Sequence, residues 1–578
     1  MKKTKSTTIV YDIAVVGGGV SGVYTAWRLM TANPASSALL KKMAGKDGKL
    51  RIALFEGSDR IGGRLLSARP PGFPNMVCEI GGMRYVSSQL LVSSLVENEL
   101  KLPTHEQVVD QPINIVYTRG TRLRNYQLSD PGVLPYQLSA KEKAWLSQGN
   151  TASNLIGWAV EQLFPQVAKL SGEKLEKFLQ QATLDGTPLY EYGFWNILAK
   201  VMSNEAYQVA RTTVGYDSLG MNANAVNCIA EYFNFTPDVK YYLFNEGYDS
   251  VPWALQQRFE AAGGEVIMNT WLQGFDEIKM ADGSRGVEMQ FAGNNTNYTV
   301  QAKALVLAMP KRSLELLEQK GPVMDPHRAP HVRYLMNAVE PVDLYKMFLA
   351  YPRPWWEKAF VTQGRSLTDI PVRQCYYWGV EGRQTGGDPN NTNALLMAYD
   401  DMSSSEFWGG MRNRPLGSGD AVRWTTPGNK LVKELMSGPR NFDRKKMPHA
   451  QKDKNNDWGK RLRENWDKHT APKKMVEEMH RQLGVIHNIS DAPAPMEAAF
   501  KDWSDDPYGG AVHFWNPGYK PWEVLQAMTQ PVSDFPCFVV GEAYSTNQTW
   551  VEGALQTAEI VLQKHFKLLA PKWLKNGK

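Results

Sequence analysis

The chain has 578 residues, 43% of them apolar and 21% charged, which excludes disorder, a fibre or a small stapled scaffold and leaves room for two or three domains. Its net charge of +6 belongs to one segment: residues 440–474 carry 12 Lys and Arg against 5 Asp and Glu, so the remainder is near −1. Four scattered cysteines (Cys78, Cys228, Cys375, Cys537) without a C-x-x-C pair, no apolar run of membrane-spanning length and a polar start at residues 1–8 predict no disulfide framework, cysteine zinc site, membrane span or secretory leader, and so a reducing, cytoplasmic location.

The first predicted element is a strand over Ile9–Val16 (IVYDIAVV), a β-branched run. Gly17-Gly18-Gly19-Val20-Ser21-Gly22 follows, and then a helix through Met30. In this G-x-G-x-x-G spacing Gly17 permits a tight turn, Gly19 lets a pyrophosphate approach the backbone, and Gly22 lets helix and strand pack closely. A polar stretch over residues 33–49 precedes a second strand, Arg51–Phe55, which ends in Glu56. An acid at that strand end accepts both hydroxyls of an adenosine ribose and repels a 2′-phosphate, which favours FAD or NAD over NADP. Residues 141–232 show helical periodicity, as in Ala152–Phe164 and Glu173–Gln181, and predict a helical domain. Residues 443–458 lack apolar periodicity and predict an exposed insertion followed by a polar helix. With no aromatic-rich binding module around it, this basic stretch is expected to be solvated surface rather than a nucleic-acid site.

The stretch Glu56-Gly57-Ser58-Asp59-Arg60-Ile61-Gly62-Gly63-Arg64 resembles the E-x(5)-G-G-R region of the flavin amine oxidase family, and Glu79-Ile80-Gly81-Gly82-Met83-Arg84 resembles the turn beside its isoalloxazine. Residues 538–552 (FVVGEAYSTNQTWVE) are similar to its C-terminal flavin segment, while residues 247–255, 264–269 and 304–310 match the rest of its cofactor domain. The resemblance implies an α/β fold with a Rossmann-like, doubly wound FAD-binding domain of the glutathione-reductase type (residues 1–75, 243–320 and 530–578). It also implies a mixed-sheet substrate domain (76–135, 321–436 and 485–529), a helical domain (136–242) and a basic insertion (437–484). FAD is the implied cofactor. Its contacts would come from Gly17, Gly19, Val20, Ser21, Gly22, Glu56 and Gly57, from Gly63 and Arg64 on the diphosphate, and from Gly81, Gly82, Met83 and Arg84 beside the ring. Val266 would approach the adenine, Glu542 and its neighbour Gly541 the ribityl or diphosphate moiety, and Thr549, Trp550 and Val551 the ring.

Within the family the chain resembles the L-amino-acid oxidase branch. There Arg84 aligns with the arginine that grips the substrate carboxylate and Tyr399 with the tyrosine that hydrogen-bonds it; Thr549 and Trp550 complete the substrate wall. Lys346, in a stretch that runs on to Trp355 and Trp356, aligns with a lysine that reaches the flavin through a water and steers O2 reduction. The implied reaction is oxidative deamination of an L-amino acid by hydride transfer from Cα to FAD, giving a 2-oxo acid, ammonia and hydrogen peroxide. The alternatives are a polyamine or monoamine oxidase in which Arg84 is structural, or a non-catalytic flavoprotein whose basic insertion holds an anionic partner. The expected partners are therefore the amino acid and O2, with no metal, nucleic acid or membrane, and homo-oligomerisation left open. No side chain stands out as general base. His513 is read as a satisfied histidine, Gln548 replaces a histidine of some relatives, and Tyr376 and Tyr377 are read as packing beneath the site. Trp515 could line the pocket or pack. Asp217 and Glu231 could meet a basic substrate side chain, against the commoner capping or exposed role.

Overall fold

The strand Ile9–Val16 is buried over its last six residues, as its apolar run requires. A computed structural model describes residues 9–234, 239–293, 296–412 and 457–574. The strand lies between two parallel neighbours, Ile52–Phe55 (Ile13 opposite Ile52) and the carboxyl half of Thr296–Leu307 (Val16 opposite Leu307). Glu265–Ile267 adds a parallel strand beyond Ile52–Phe55, and Cys537–Val539 another beyond Thr296–Leu307. The amino half of Thr296–Leu307 instead continues into an antiparallel meander with Arg285–Gly293 and Thr270–Lys279. Alternation sorts the central strand: Ile13 and Val15 face a core shared with the helices Val20–Met30, Ser250–Ala261 and Val551–Lys564. Ala14 and Val16 face the opposite core, where Phe55 stacks on Phe291 at 4.4 Å between ring centres. Parallel strands covered on both faces are expected to be apolar throughout, and Ile52–Phe55 is buried at every position.

The polar stretch 33–49 departs from its sequence reading. Ser37 caps a short helix, Ala38–Met43, whose Leu40 and Met43 are buried in the first core. Two apolar residues three apart suffice to dock one turn, a signal too short to register as periodicity.

A second sheet runs Glu497–Asp502, Leu344–Tyr351, Ala394–Asp401, Gln374–Val380, Arg365–Thr368, Ile115–Thr118, Thr121–Arg124. It is antiparallel except between Arg365–Thr368 and Ile115–Thr118. Leu344–Tyr351 is buried along its full length, and so carries Lys346 into the interior. Helices Ala140–Leu146, Leu155–Leu163, Gly172–Gln181, Phe194–Leu198, Asn204–Val214 and Ala225–Asn234 form a third layer with its own core, which reaches Val116, Leu123 and Leu367 of the second sheet.

Of the basic segment, residues 440–456 lie outside the described residues. The helix after it, Asp457–Lys468, is not a simple polar surface helix: Leu462 and Trp466 are fully buried. Arg461 donates to the Ile61 carbonyl (2.9 Å), Asn465 to the Ser67 carbonyl (2.8 Å), and the Trp466 indole to Glu497 (2.7 Å). Two apolar residues four apart dock this helix while charge counting hides them. All four cysteines are free, and no helix among the described residues is long and apolar enough to cross a membrane.

A Cβ added at Gly22 would stand 1.9 Å from the Gly17 carbonyl oxygen and 2.9 Å from Ala308 Cβ. The first obstacle is backbone, which cannot swing aside. Gly22→Ala is expected to cost about 1–3 kcal/mol, read as a lower urea midpoint; an unchanged midpoint would show that the turn relaxes freely.

Candidate active site

One cavity of about 1800 Å³ lies where the two sheets, the helical layer and the C-terminal segment meet. Its floor is built from two glycine loops. Gly17, at φ +114°, turns the chain out of the first strand, and its N–H donates to the Phe55 carbonyl (2.8 Å). The Gly62 N–H donates to the Gly18 carbonyl (2.8 Å), which lays the second loop against the first. A Cβ on Gly63 would meet the Gly19 Cα at 3.2 Å, whereas one on Gly19 would meet nothing within 4 Å. The helix Val20–Met30 starts there without a side-chain cap, and Val20 and Ser21 line the cavity. Its first N–H groups and positive dipole end are thus offered to whatever occupies the space. Glu56, at the end of the second strand, accepts from the Gly18 N–H (2.6 Å) and the Ser58 N–H (2.8 Å), with lone pairs to spare. Gly57 also lines the cavity, with the Trp271 ring against it. Gly22 does not line it but packs behind the turn. Val266 is a correction: it packs on the first core, and Trp271 and Leu272 form that wall instead. The strand Glu265–Ile267 ends before the cavity, so the chain reaches it only after Asn269, at φ +55°, redirects it.

Gly541 and Glu542 follow the last parallel strand. The Glu542 carboxylate binds Arg64 (2.9 Å), the His513 ring (3.0 Å), and the N–H groups of His513 (2.9 Å) and Thr549 (3.0 Å). Burial would raise its pKa, but Arg64 and His513 outweigh burial and hold it at about 2. Arg64 also donates to the Ala511 carbonyl (2.7 Å), so its fork is closed on protein groups rather than standing free in the cavity. Thr549 sits at φ +72°, unusual for a β-branched residue, and with Trp550 and Val551 it forms the wall just before the last helix.

Gly81, Gly82, Met83 and Arg84 line the region where the second sheet faces the helical layer. The Arg84 guanidinium lies 4.2 Å from the Tyr241 ring centre and 5.8 Å from that of Tyr376, and donates to Gln107 (2.9 Å). No described Asp or Glu pairs with it; burial opposes its charge, and the Tyr376, Tyr216 and Tyr241 phenols restore it. Tyr399 hydrogen-bonds Tyr216, their rings 5.8 Å apart and edge-on. Lys346, paired in register with Tyr399, donates from Nζ to the carbonyls of Glu79 (3.2 Å) and Gly81. Burial lowers the lysine pKa, and burial together with Asp249 raises that of Glu79.

Sequence reasoning missed Arg365, Tyr216, Tyr241, Gln107 and Glu79 as parts of this end. Arg365 lines the cavity beside Arg84, but Asp110 (2.9 Å) and Gln374 (2.9 Å) engage it. Glu79 opens the quoted Glu79–Arg84 motif, but no motif links the other four, which strands and the turn at Tyr216 bring together from distant parts of the chain. Asp217 is structural: Arg211 (2.7 Å), Arg373 (3.2 Å) and Ser403 (2.6 Å) bind it. His513 is buried on Glu542, and Gln548 donates to the Ala543 carbonyl (2.6 Å). Trp515 packs, its indole on the Ser545 carbonyl (3.0 Å). Tyr376 packs behind Arg84, and Tyr377 is bound by Ser366 and His487. Glu231 does line the cavity.

A profile of the family described as flavin containing amine oxidoreductase matches residues 20–413. Aplysianin-A of Aplysia kurodai is 26% identical over 96% of this chain and 90% of its own, and achacin of Lissachatina fulica 25% identical over 96% and 93%. The L-amino-acid oxidase of Mus musculus is 23% identical over 63% of this chain and 51% of its own. Among solved structures, a putrescine oxidase bound to putrescine shares the fold at a TM-score of 0.59 and 15% identity, covering 97% of this chain and all of its own. The cytoplasmic location expected from the sequence is overturned, since aplysianin-A and achacin are secreted proteins. Few cysteines and a polar start were a weak guide, because a large core needs no disulfides.

Because Glu542 has a folded pKa of about 2, below the unfolded value of about 4.3, its ionised form stabilises the native state fully above pH 4.3. That contribution fades as the pH falls toward 2. Glu542→Gln, which removes the counter-ion of Arg64, is expected to cost about 3–5 kcal/mol at pH 7. The gap to wild type should narrow at pH 3 in urea titrations; an equal gap at both pH values would refute the assignment.

Proposed function

The chain belongs to the flavin-containing amine oxidoreductases and is an oxidoreductase; from that premise we propose that it oxidises L-amino acids to 2-oxo acids, ammonia and hydrogen peroxide. The non-catalytic reading falls with that membership. One observation carries the proposal: the cavity holds a guanidinium, Arg84, with no described carboxylate to neutralise it. A charge removed from water without a counter-ion is costly, and a substrate α-carboxylate supplies that counter-ion as a bidentate partner. A simple amine would leave Arg84 uncompensated.

The residues present fit FAD. The paired glycine loops, the open face of Gly19 and the uncapped helix start suit a diphosphate, and the free lone pairs of Glu56 suit ribose hydroxyls. When bound, FAD supplies the two-electron acceptor for the hydride leaving Cα and passes those electrons to O2.

The chain's own part is to bind and orient. Arg84 grips the carboxylate while Tyr241 and Tyr376 hold the guanidinium plane still. The Tyr399–Tyr216 pair offers a hydroxyl at the same end. Fixing one end of a small zwitterion this way restricts its Cα–H to few orientations. Trp550, Phe514 and Leu344 add apolar wall that excludes water. The α-amine must react as the free base, because its lone pair expels the hydride. Lys346, pinned to two carbonyls, can give up or hold a proton at Nζ because burial has eased its deprotonation.

Arg84→Ala is expected to lower kcat/KM for L-amino acids roughly 30-fold or more, about 2–5 kcal/mol, while the protein stays yellow. Peroxide release at the parental rate, or faster release from decarboxylated amines than from L-amino acids in the wild type, would refute the carboxylate role. Glu56→Gln should weaken FAD retention roughly 10-fold or more, measured as flavin lost on dialysis; unchanged flavin content would remove Glu56 from the ribose site.

A further inference from the structure

The helix Ala225–Asn234 turns Cys228, Glu231 and Tyr232 toward the cavity, three and four residues apart on one face. Glu231 is the acid among them. The Trp550 indole stands beside its carboxylate, and no described Lys or Arg acts on it. Burial raises its pKa to about 7, with the indole holding it down. Several other buried acids around the site do have partners, Asp401 among them through the N–H groups of Asp217 and Ser218. Glu542 is matched by Arg64, Asp217 by Arg211 and Arg373, and Asp502 by Arg412. A carboxylate that caps no helix, pairs with no cation and faces open space has acceptor capacity that the folded chain does not use.

Glu231 is also separate from Arg84. Arg84 stands just before the strand Tyr85–Val86, Glu231 stands on the helix Ala225–Asn234, and no ion pair joins the two. The cavity therefore presents an unmatched cation in one place and an unmatched anion in another, with Trp550 beside the anion. The helical layer's part of the cavity wall also carries aromatic residues, Trp158, Tyr232 and Phe233, and a second acid, Glu161, whose charge acts on Tyr232. Aromatic faces and carboxylates together favour a cation carried on an apolar stem.

We infer that Glu231 is a specificity residue that receives the cationic end of the substrate side chain, so that the preferred substrates are L-amino acids with a basic side chain. The inference rests on the L-amino-acid reading above and deepens it. Arg84 takes the carboxylate, the methylene stem lies along the aromatic wall beside Trp550, and the distal ammonium or guanidinium reaches Glu231. A neutral side chain of the same length fills the same space but leaves the carboxylate unpaired, which is the asymmetry that a built polar pocket uses to discriminate.

The test compares kcat/KM for L-lysine with that for L-norleucine, which keeps the stem and lacks the ammonium, using peroxide release by the flavin-loaded full chain. In the wild type the ratio is expected to exceed roughly 10-fold in favour of lysine. In Glu231→Gln it should fall to near unity, and L-arginine should lose its advantage in parallel. Glu161→Gln, on the neighbouring helix, should move the ratio less than Glu231→Gln does. A wild-type ratio near unity, or a ratio that Glu231→Gln leaves unchanged, would overturn the subsite while leaving the L-amino-acid reading intact. Absence of peroxide from every L-amino acid tried would overturn that reading and the subsite together. The wild-type comparison decides the matter even where the variant folds poorly.

Discussion

The closeness of Gly22 to the carbonyl of Gly17 is the constraint on which the rest of the molecule depends. It lets the first helix start hard against the strand it follows, so that the helix points its uncapped N-terminus into the cavity and covers the parallel sheet with its apolar side. The Gly62–Gly63 loop can then lie on Gly18 and Gly19, and Arg64, two residues after Gly62, reaches Glu542 at the far end of the chain. Five parallel strands drawn from residues 9 to 539 thus converge at their carboxyl ends on one space, the place where open α/β sheets hold ligands.

Charge is arranged around that space with the same economy. Arg64, Arg365, Arg373 and Arg412 each have a carboxylate within ion-pair distance, so their cost of burial is met inside the protein. Arg84 has no described carboxylate at that distance and Glu231 no described cation, and both line the cavity. Unmatched charge of either sign is tolerable only where water or a ligand can complete it, which is why these two residues speak about substrate and the paired ones about architecture. The buried pair of Lys346 and Glu79 is intermediate: each shifts toward its neutral form, so the lysine can exchange a proton.

Much of the dinucleotide end was legible in the residues because its determinants are local. The strand Ile9–Val16, the turn at Gly17–Gly22 and the helix to Met30 are set by β-branched runs, glycine conformations and periodicity within some twenty residues. The helical layer was legible in the same way, and both flavin-type motifs fall on the cavity. Legibility failed where burial depended on few residues. The segments around Leu40 and Trp466 looked polar by count yet each docks through two side chains. Val266 belonged to the right strand but stops short of the wall that Trp271 makes after the chain turns.

What the sequence by itself determined was the list of elements and the chemistry of its contiguous motifs, because propensity, capping and glycine conformation act over a few neighbouring residues. Tertiary structure alone decided which charges are matched. Arg84 and Arg365 look alike in the chain, and only strand pairing delivers Asp110 and Gln374 to one and merely Gln107 and tyrosine faces to the other. Asp217 and Glu231 were equal candidates until folding enclosed the first among arginines and left the second facing the cavity. Coulomb energy depends on distance and local dielectric, and neither exists for residues far apart in sequence until the fold brings them together.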